Sequence, residues 1–176
     1  MRSQKAREIA LTGMLFALAI TLSFLESMVS PLLGLMPAMK LGLSNIVVMY
    51  ALLFLNPCTA LELAVLKAAF AFLTRGATAG FLSLCGGLLS FLVLWLLLRA
   101  PFPVTGYIFS VCGALGHNLG QLCGAAVLLS STMALGYAPV LLIVGCVVGA
   151  LTSLVSKALF PPLKKVFGSP DPKIRF

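Results

Sequence analysis

The side chains able to do chemistry in this chain of 176 residues are few, and most lie in apolar surroundings. Glu26, Lys40, Glu62, Lys67 and Arg75 are ionisable, and His117, Asn118 and Gln121 form a polar knot in another apolar stretch. The chemistry open to them is recognition. Lys40, Lys67 and Arg75 together would make a basic vestibule suited to a phosphate, diphosphate or carboxylate. The other reading of Lys40 and Arg75 is interfacial anchoring, stem in lipid and head in water. Glu62 and Lys67 are five apart, about 140° around a helix, so they do not form a standard i,i+4 pair. Each needs a partner on another helix, a water-filled cavity or the interface. Lys67 is therefore either a ligand contact or half of a structural pair. His117 and Gln121 share a helical face, whereas Asn118 is turned about 100° from His117. These three either bridge helices or orient a ligand in a mostly apolar pocket. Asn45, just after Lys40-Leu41-Gly42-Leu43-Ser44, joins the same group.

Other chemistries are excluded. The four acidic residues, Glu8, Glu26, Glu62 and Asp171, are far apart, so no carboxylate pair can hold Mg²⁺ on a diphosphate. There is no Walker A motif, and a single histidine without a Cys/His cluster argues against zinc. Cys58, Cys85, Cys112, Cys123 and Cys146 form no C-x-x-C and read as small membrane-buried hydrophobes. The expectation is a binding or transport subunit, not an enzyme, with no metal and no covalently bound cofactor.

The elements that must position these groups follow from composition. Hydrophobic residues make up 61% of the chain and charged ones 9%, against about a quarter in soluble domains. Mean hydropathy is +1.13. An ordinary cytosolic enzyme, a disordered tail and a nucleic-acid-binding module are all excluded. At about 20 residues per crossing, six helices and short loops fill the length as a single membrane domain, 1–176. The spacing predicts spans at about 7–28, 41–55, 58–74, 78–98, 106–130 and 137–160. Pro31, Gly34 and Pro37 break the stretch between the first two, and such backbone is tolerated only where protein or a cavity satisfies it. Pro161-Pro162 is read as the stop of the last span. The basic start, Met1 to Arg7, is not read as a cleaved signal.

Orientation follows from the basic residues. Arg2, Lys5, Arg7, Arg99, Lys157, Lys164, Lys165, Lys173 and Arg175 all fall on one side with an even span count. Both termini are therefore expected in the cytoplasm, with Lys40 and Arg75 on the outer side. Small residues mark close helix approach: Ala6, Ala10, Gly13, Ala17 and Thr21 in the first span, Gly80, Ser83, Gly87 and Ser90 in the fourth. Gly116, Gly120 and Gly124 do so in the fifth, and Gly145, Gly149 and Ser153 in the sixth. The last three stripes are expected to pack inside the bundle. The first either packs inside or offers a docking face to another membrane subunit.

Three runs carry a family resemblance: Lys40-Leu41-Gly42-Leu43-Ser44-Asn45-Ile46, Leu84-Cys85-Gly86-Gly87-Leu88-Leu89-Ser90 and Gly113-Ala114-Leu115-Gly116-His117-Asn118-Leu119-Gly120-Gln121. In order and spacing they resemble a bacterial membrane family known both as heptaprenyl diphosphate synthase component I and as the Gx transporter family. That family is similar in turn to the six-helix S-components of energy-coupling-factor (ECF) transporters. The resemblance implies a multi-pass subunit of the bacterial cytoplasmic membrane that binds a small micronutrient or cofactor precursor near its outer face. It implies partners too: membrane lipid, a transmembrane coupling subunit and two ATPases, which alone would use ATP. Docking would fall on Ala6, Ala10, Gly13 and Ala17, a match to the family's A-x-x-x-A stripe by size class. Ligand contacts would fall on Lys40, Asn45, Lys67, Arg75, His117, Asn118 and Gln121. Two other readings are a non-catalytic accessory subunit of heptaprenyl diphosphate or quinone biosynthesis, and a membrane scaffold for extracellular flavin or electron-transfer proteins. A catalytic prenyl synthase is excluded, because its aspartate-rich motifs are missing and the single Asp lies in the tail.

Overall fold

A computed structural model describes residues 2–33, 42–128, 131–167 and 174–175. Its helices are α1 (Arg2–Val29), α2 (Asn45–Phe54), α3 (Pro57–Arg75), α4 (Ala77–Arg99), α5 (Gly106–Leu128) and α6 (Ser131–Phe167). A 3-10 turn, Ser30–Leu33, follows α1. Two short strands, β1 (Val104–Thr105) and β2 (Ile174–Arg175), pair in parallel. The boundaries have local causes. Asn56 caps α3 by accepting from the Thr59 N–H at 2.7 Å, and Pro57 at the first helical position gives up a hydrogen bond that no helix could use. Gly76, at φ 89°, turns the chain directly from α3 into α4.

The fold is an all-α bundle with, among the described residues, five helices long and apolar enough to cross a membrane. This corrects the expectation of six such spans. Helix α2 has 10 residues, about 15 Å against a hydrocarbon core of about 30 Å. It starts later than predicted because residues 42–44 form a turn, in which Gly42 adopts φ 96°. Eight of its ten residues are buried, so it is a plug within the bundle and not a lipid-facing crossing. The chain still reverses there. Glu26 of α1 bonds Ser44 at the head of α2, while Thr12 of α1 shares a small cavity with Phe54, Leu55 and Asn56 at its tail. Helices α1 and α2 are therefore antiparallel.

Helices α4, α5 and α6 pack in alternating direction through glycine. An added Cβ at Gly120 of α5 would collide with the Cys85 carbonyl of α4, and one at Gly86 would lie 2.7 Å from the His117 ring. At the α5–α6 contact, a Cβ at Gly149 would lie 2.6 Å from Val111 Cα. These stripes pack inside the bundle, as expected, and without a hydrophobic drive in lipid such close approach is what dispersion requires. The α1 stripe faces outward instead. Ala6, Ala10, Gly13 and Ala17 are all exposed, and nothing lies within 4 Å of a Cβ built on Gly13.

A second correction concerns α6. The helix does not stop at Pro161-Pro162 but continues to Phe167. A prolyl φ near −65° is itself helical, so the pair forfeits two backbone hydrogen bonds without forcing a reversal. The exterior is largely apolar, with Phe24, Leu73, Val127 and Ile143 exposed, while many polar side chains collect inside. That inversion is what a bilayer imposes.

The glycine contacts predict opposite outcomes for one kind of substitution. Gly120→Leu should lower stability by about 1–3 kcal/mol or more through overpacking against α4. Gly13→Leu should leave the melting temperature in detergent unchanged. Equal melting of the two variants would refute the packing assignment.

Candidate functional site

The buried polar groups include two hydrogen-bonded sets. The larger is centred on Lys67, 1% exposed and among the largest fully buried side chains of the protein. It sits on the inward stripe of α3 with Ala60, Leu63, Ala64, Ala68 and Ala71. Small neighbours on this face leave room for its stem and for the helices that approach it. Lys67 Nζ donates to Asn45 Oδ1 at 2.8 Å and to Ser44 Oγ at 3.3 Å. The Ser44 hydroxyl donates onward to Glu26 Oε2 at 3.1 Å, and the Ser44 backbone N–H to Glu26 Oε1 at 3.2 Å. On the other side, Asn45 Nδ2 donates to Ser90 Oγ at 2.9 Å, and Ser90 donates to the Gly113 carbonyl at 2.8 Å. One directed chain of hydrogen bonds thus joins α1, the turn before α2, α2, α3, α4 and α5.

The second set lies on α5. Gln121 Nε2 and His117 Nε2 are hydrogen-bonded at 2.6 Å, with the donor and acceptor roles set by the imidazole tautomer. Gly86 and Gly42 flank that ring, and a Cβ at Gly42 would lie 3.1 Å from His117 Cδ2. Asn118 faces elsewhere, as its 100° offset requires, and Nδ2 donates to the Leu141 carbonyl of α6 at 2.7 Å.

Of the residues expected at a site, Asn45 and Lys67 are in direct contact, and His117 and Gln121 form a separate pair. Asn118 bridges α5 to α6. Arg75 ends α3, with Nη1 and Nη2 buried and making no hydrogen bond among the described residues. Lys40 lies outside the described residues. Glu62 is exposed, away from this group. The residues missed are Glu26 as a site member, Ser44 and Ser90. The depth of Glu26 in the first span was a usable signal. Serine 90 reads in sequence only as a small packing residue, and nothing linear links it to Asn45, 45 positions away.

A separate feature is an open apolar groove of about 730 Å³ on the outer face between α3 and α4, bordered by Leu128 of α5. Its walls are Val65, Ala68, Phe72, Leu73, Phe81 and Leu84, with Thr78 and smaller residues. Among the described residues, no group of three or more His, Cys, Asp or Glu side chains could hold a metal ion.

Glu26 and Lys67 should respond unequally to substitution. Glu26→Gln leaves Lys67 and Arg75 buried without a counter-charge and should cost about 3–5 kcal/mol. Lys67→Met strands the Asn45 and Ser44 acceptors but leaves Glu26 opposite Arg75, and should cost about 1–3 kcal/mol. Detergent melting of both single variants and the double variant checks this: the double loss should fall short of the sum, and a reversed ranking would exclude a coupled cluster.

Comparison with known proteins gives one match. No curated protein and no solved structure is similar enough to match. A family model described as heptaprenyl diphosphate synthase component I matches residues 15–159, which include α2 to α5, most of α1 and α6, and both polar sets. This membrane-embedded chain belongs to the heptaprenyl diphosphate synthase component I family.

Proposed function

We propose that the chain is a non-catalytic membrane component of polyprenyl diphosphate metabolism that holds an isoprenoid chain within the bilayer. The observation that carries this reading is the open apolar groove of about 730 Å³ between α3 and α4, which faces the bilayer. It falls within the range of small-molecule sites, about 300–1,000 Å³. An isoprenoid chain has no hydrogen-bonding groups, and a wall of Val, Leu, Phe and Ala asks for none. The family name supports a setting in heptaprenyl diphosphate synthesis. The carboxylate pairs that would bind a diphosphate through Mg²⁺ are missing from the sequence, so bond formation belongs to another subunit. Retaining a water-insoluble substrate or product is the share left to this chain.

A second reading, a substrate-binding subunit of an energy-coupling-factor importer, rests on the sequence resemblance. One structural observation favours it: the outward face of α1, where Ala6, Ala10, Gly13 and Ala17 await a close-packing helix. In that reading the basic tails face the cytoplasm and the polar cluster around Glu26 faces out.

The first reading predicts that a photoreactive farnesyl analogue labels α3 and α4 in the purified protein, and that excess phospholipid does not compete. Ala69→Trp, which fills the groove, should cut labelling at least tenfold; undiminished labelling would defeat the proposal. The second predicts that Gly13→Leu with Ala17→Leu removes co-purification with a coupling subunit while the fold persists. Co-purification of the double variant at the wild-type level would count against it.

A further inference from the structure

We propose that the Glu26 end of the bundle contains an oxyanion-binding site, for a phosphate, diphosphate or carboxylate group, whose charge completes the buried cluster of Glu26, Lys67 and Arg75. The inference does not depend on the isoprenoid reading. It rests on charge balance inside a membrane.

Glu26 is 0% and Lys67 1% exposed. Both terminal nitrogens of Arg75 are inaccessible as well. Lys67 and Arg75 each feel the charge of Glu26, and Lys67 also feels that of Arg75, so the three form one electrostatic group. The group holds two positive charges and one negative. The carboxylate already accepts two hydrogen bonds from Ser44, and Lys67 donates to the neutral oxygens of Ser44 and Asn45. Arg75 Nη1 and Nη2 donate to nothing among the described residues.

The usual escapes are closed. An arginine at a helix end would normally snorkel its guanidinium into the headgroups, but Nη1 and Nη2 of this half-buried side chain are shielded from solvent. The sequence holds no further acid able to reach it. Glu8 is 18 residues from Glu26, about 27 Å along α1. Glu62 is exposed and 13 residues before Arg75, about 20 Å along α3. Asp171 is three residues from β2, which pairs with the α4–α5 connection at the opposite end of the bundle. An unpaired buried cation costs several kcal/mol, so an anion from outside the chain is the missing partner.

The geometry selects its class. A guanidinium presents parallel N–H groups that match two oxygens of a phosphate or carboxylate. The amino end of α4, a 23-residue helix, starts two residues after Arg75 and adds partial positive charge at the same place. Lipid headgroups and free anions share this chemistry, and the experiment separates them.

The full chain, purified in non-ionic detergent, is followed by thermal unfolding with inorganic diphosphate or with phosphatidylglycerol in the micelles. Wild-type protein should be stabilised saturably by at least one. Diphosphate alone would identify a free anion; phosphatidylglycerol alone would identify a lipid headgroup. The apparent affinity should weaken with added sodium chloride. Arg75→Gln should weaken it at least tenfold, while Arg99→Gln, a guanidinium stacked 3.8 Å from the Trp95 ring at the other end, should not change it. Without anion, Arg75→Gln should melt no lower than wild type, since it removes an uncompensated charge. The proposal is overturned if neither anion stabilises wild type, if Arg75→Gln responds equally, or if Arg75→Gln fails to fold.

Discussion

A lysine ammonium in the middle of a membrane bundle has no water to turn to, and the architecture around α2 answers that constraint. Lys67 lies about 12 Å along α3 from Arg75, too deep for its head to stay in solvent. Its hydrogen bonds reach Ser44 and Asn45, at the turn that begins α2. The interaction therefore fixes where the short helix starts and how it sits between α1 and α3. Ser44 extends the tether to Glu26, and Asn45 extends it through Ser90 to the backbone of α5. Removing water from these groups makes each contact obligatory, because an unmet buried donor or acceptor costs more than a formed bond returns.

Glycine supplies the complementary condition. The Ser90–Gly113 bond and the His117 pocket both need α4 and α5 closer than ordinary side chains permit. The same stripes that bring backbones into van der Waals range thus set the hydrogen-bond distances. Packing and polar satisfaction here are one arrangement seen twice. Helix α1 joins the core through Glu26 and through Ala19, Phe16 and Leu22, with its small-residue face turned outward.

Family membership and geometry bear on different questions. The match over residues 15–159 shows the heptaprenyl diphosphate synthase component I family, and the sequence lacks the paired carboxylates that prenyl diphosphate synthesis needs. The groove between α3 and α4 suits the apolar part of a prenyl diphosphate, and the cationic excess at Arg75 suits an anionic group. The two features lie on largely different faces of α3 that meet at Ala68, so substitutions at Arg75 and at Ala69 can separate their roles.

The sequence by itself determined the class of fold and the short set of polar positions that a bilayer does not explain. Apolar runs of about 20 residues and scarce charge have few solutions in lipid, and α3, α4 and α5 end within two residues of the predicted limits. Glu26, Lys67 and the His117 group stood out for the same reason: a polar group at that depth is costly wherever its partner lies. Which partner it finds is a three-dimensional matter. The pairings of Glu26 with Ser44, Lys67 with Asn45 and Asn45 with Ser90 join positions 18, 22 and 45 residues apart, and no linear spacing encodes them. The reduction of the second span to a ten-residue plug was decided the same way, since hydropathy cannot tell a helix buried in protein from one buried in lipid. Tertiary packing alone showed that the α1 stripe faces outward while those of α4, α5 and α6 face in, because a small side chain is equally at home on either face until a neighbour approaches it.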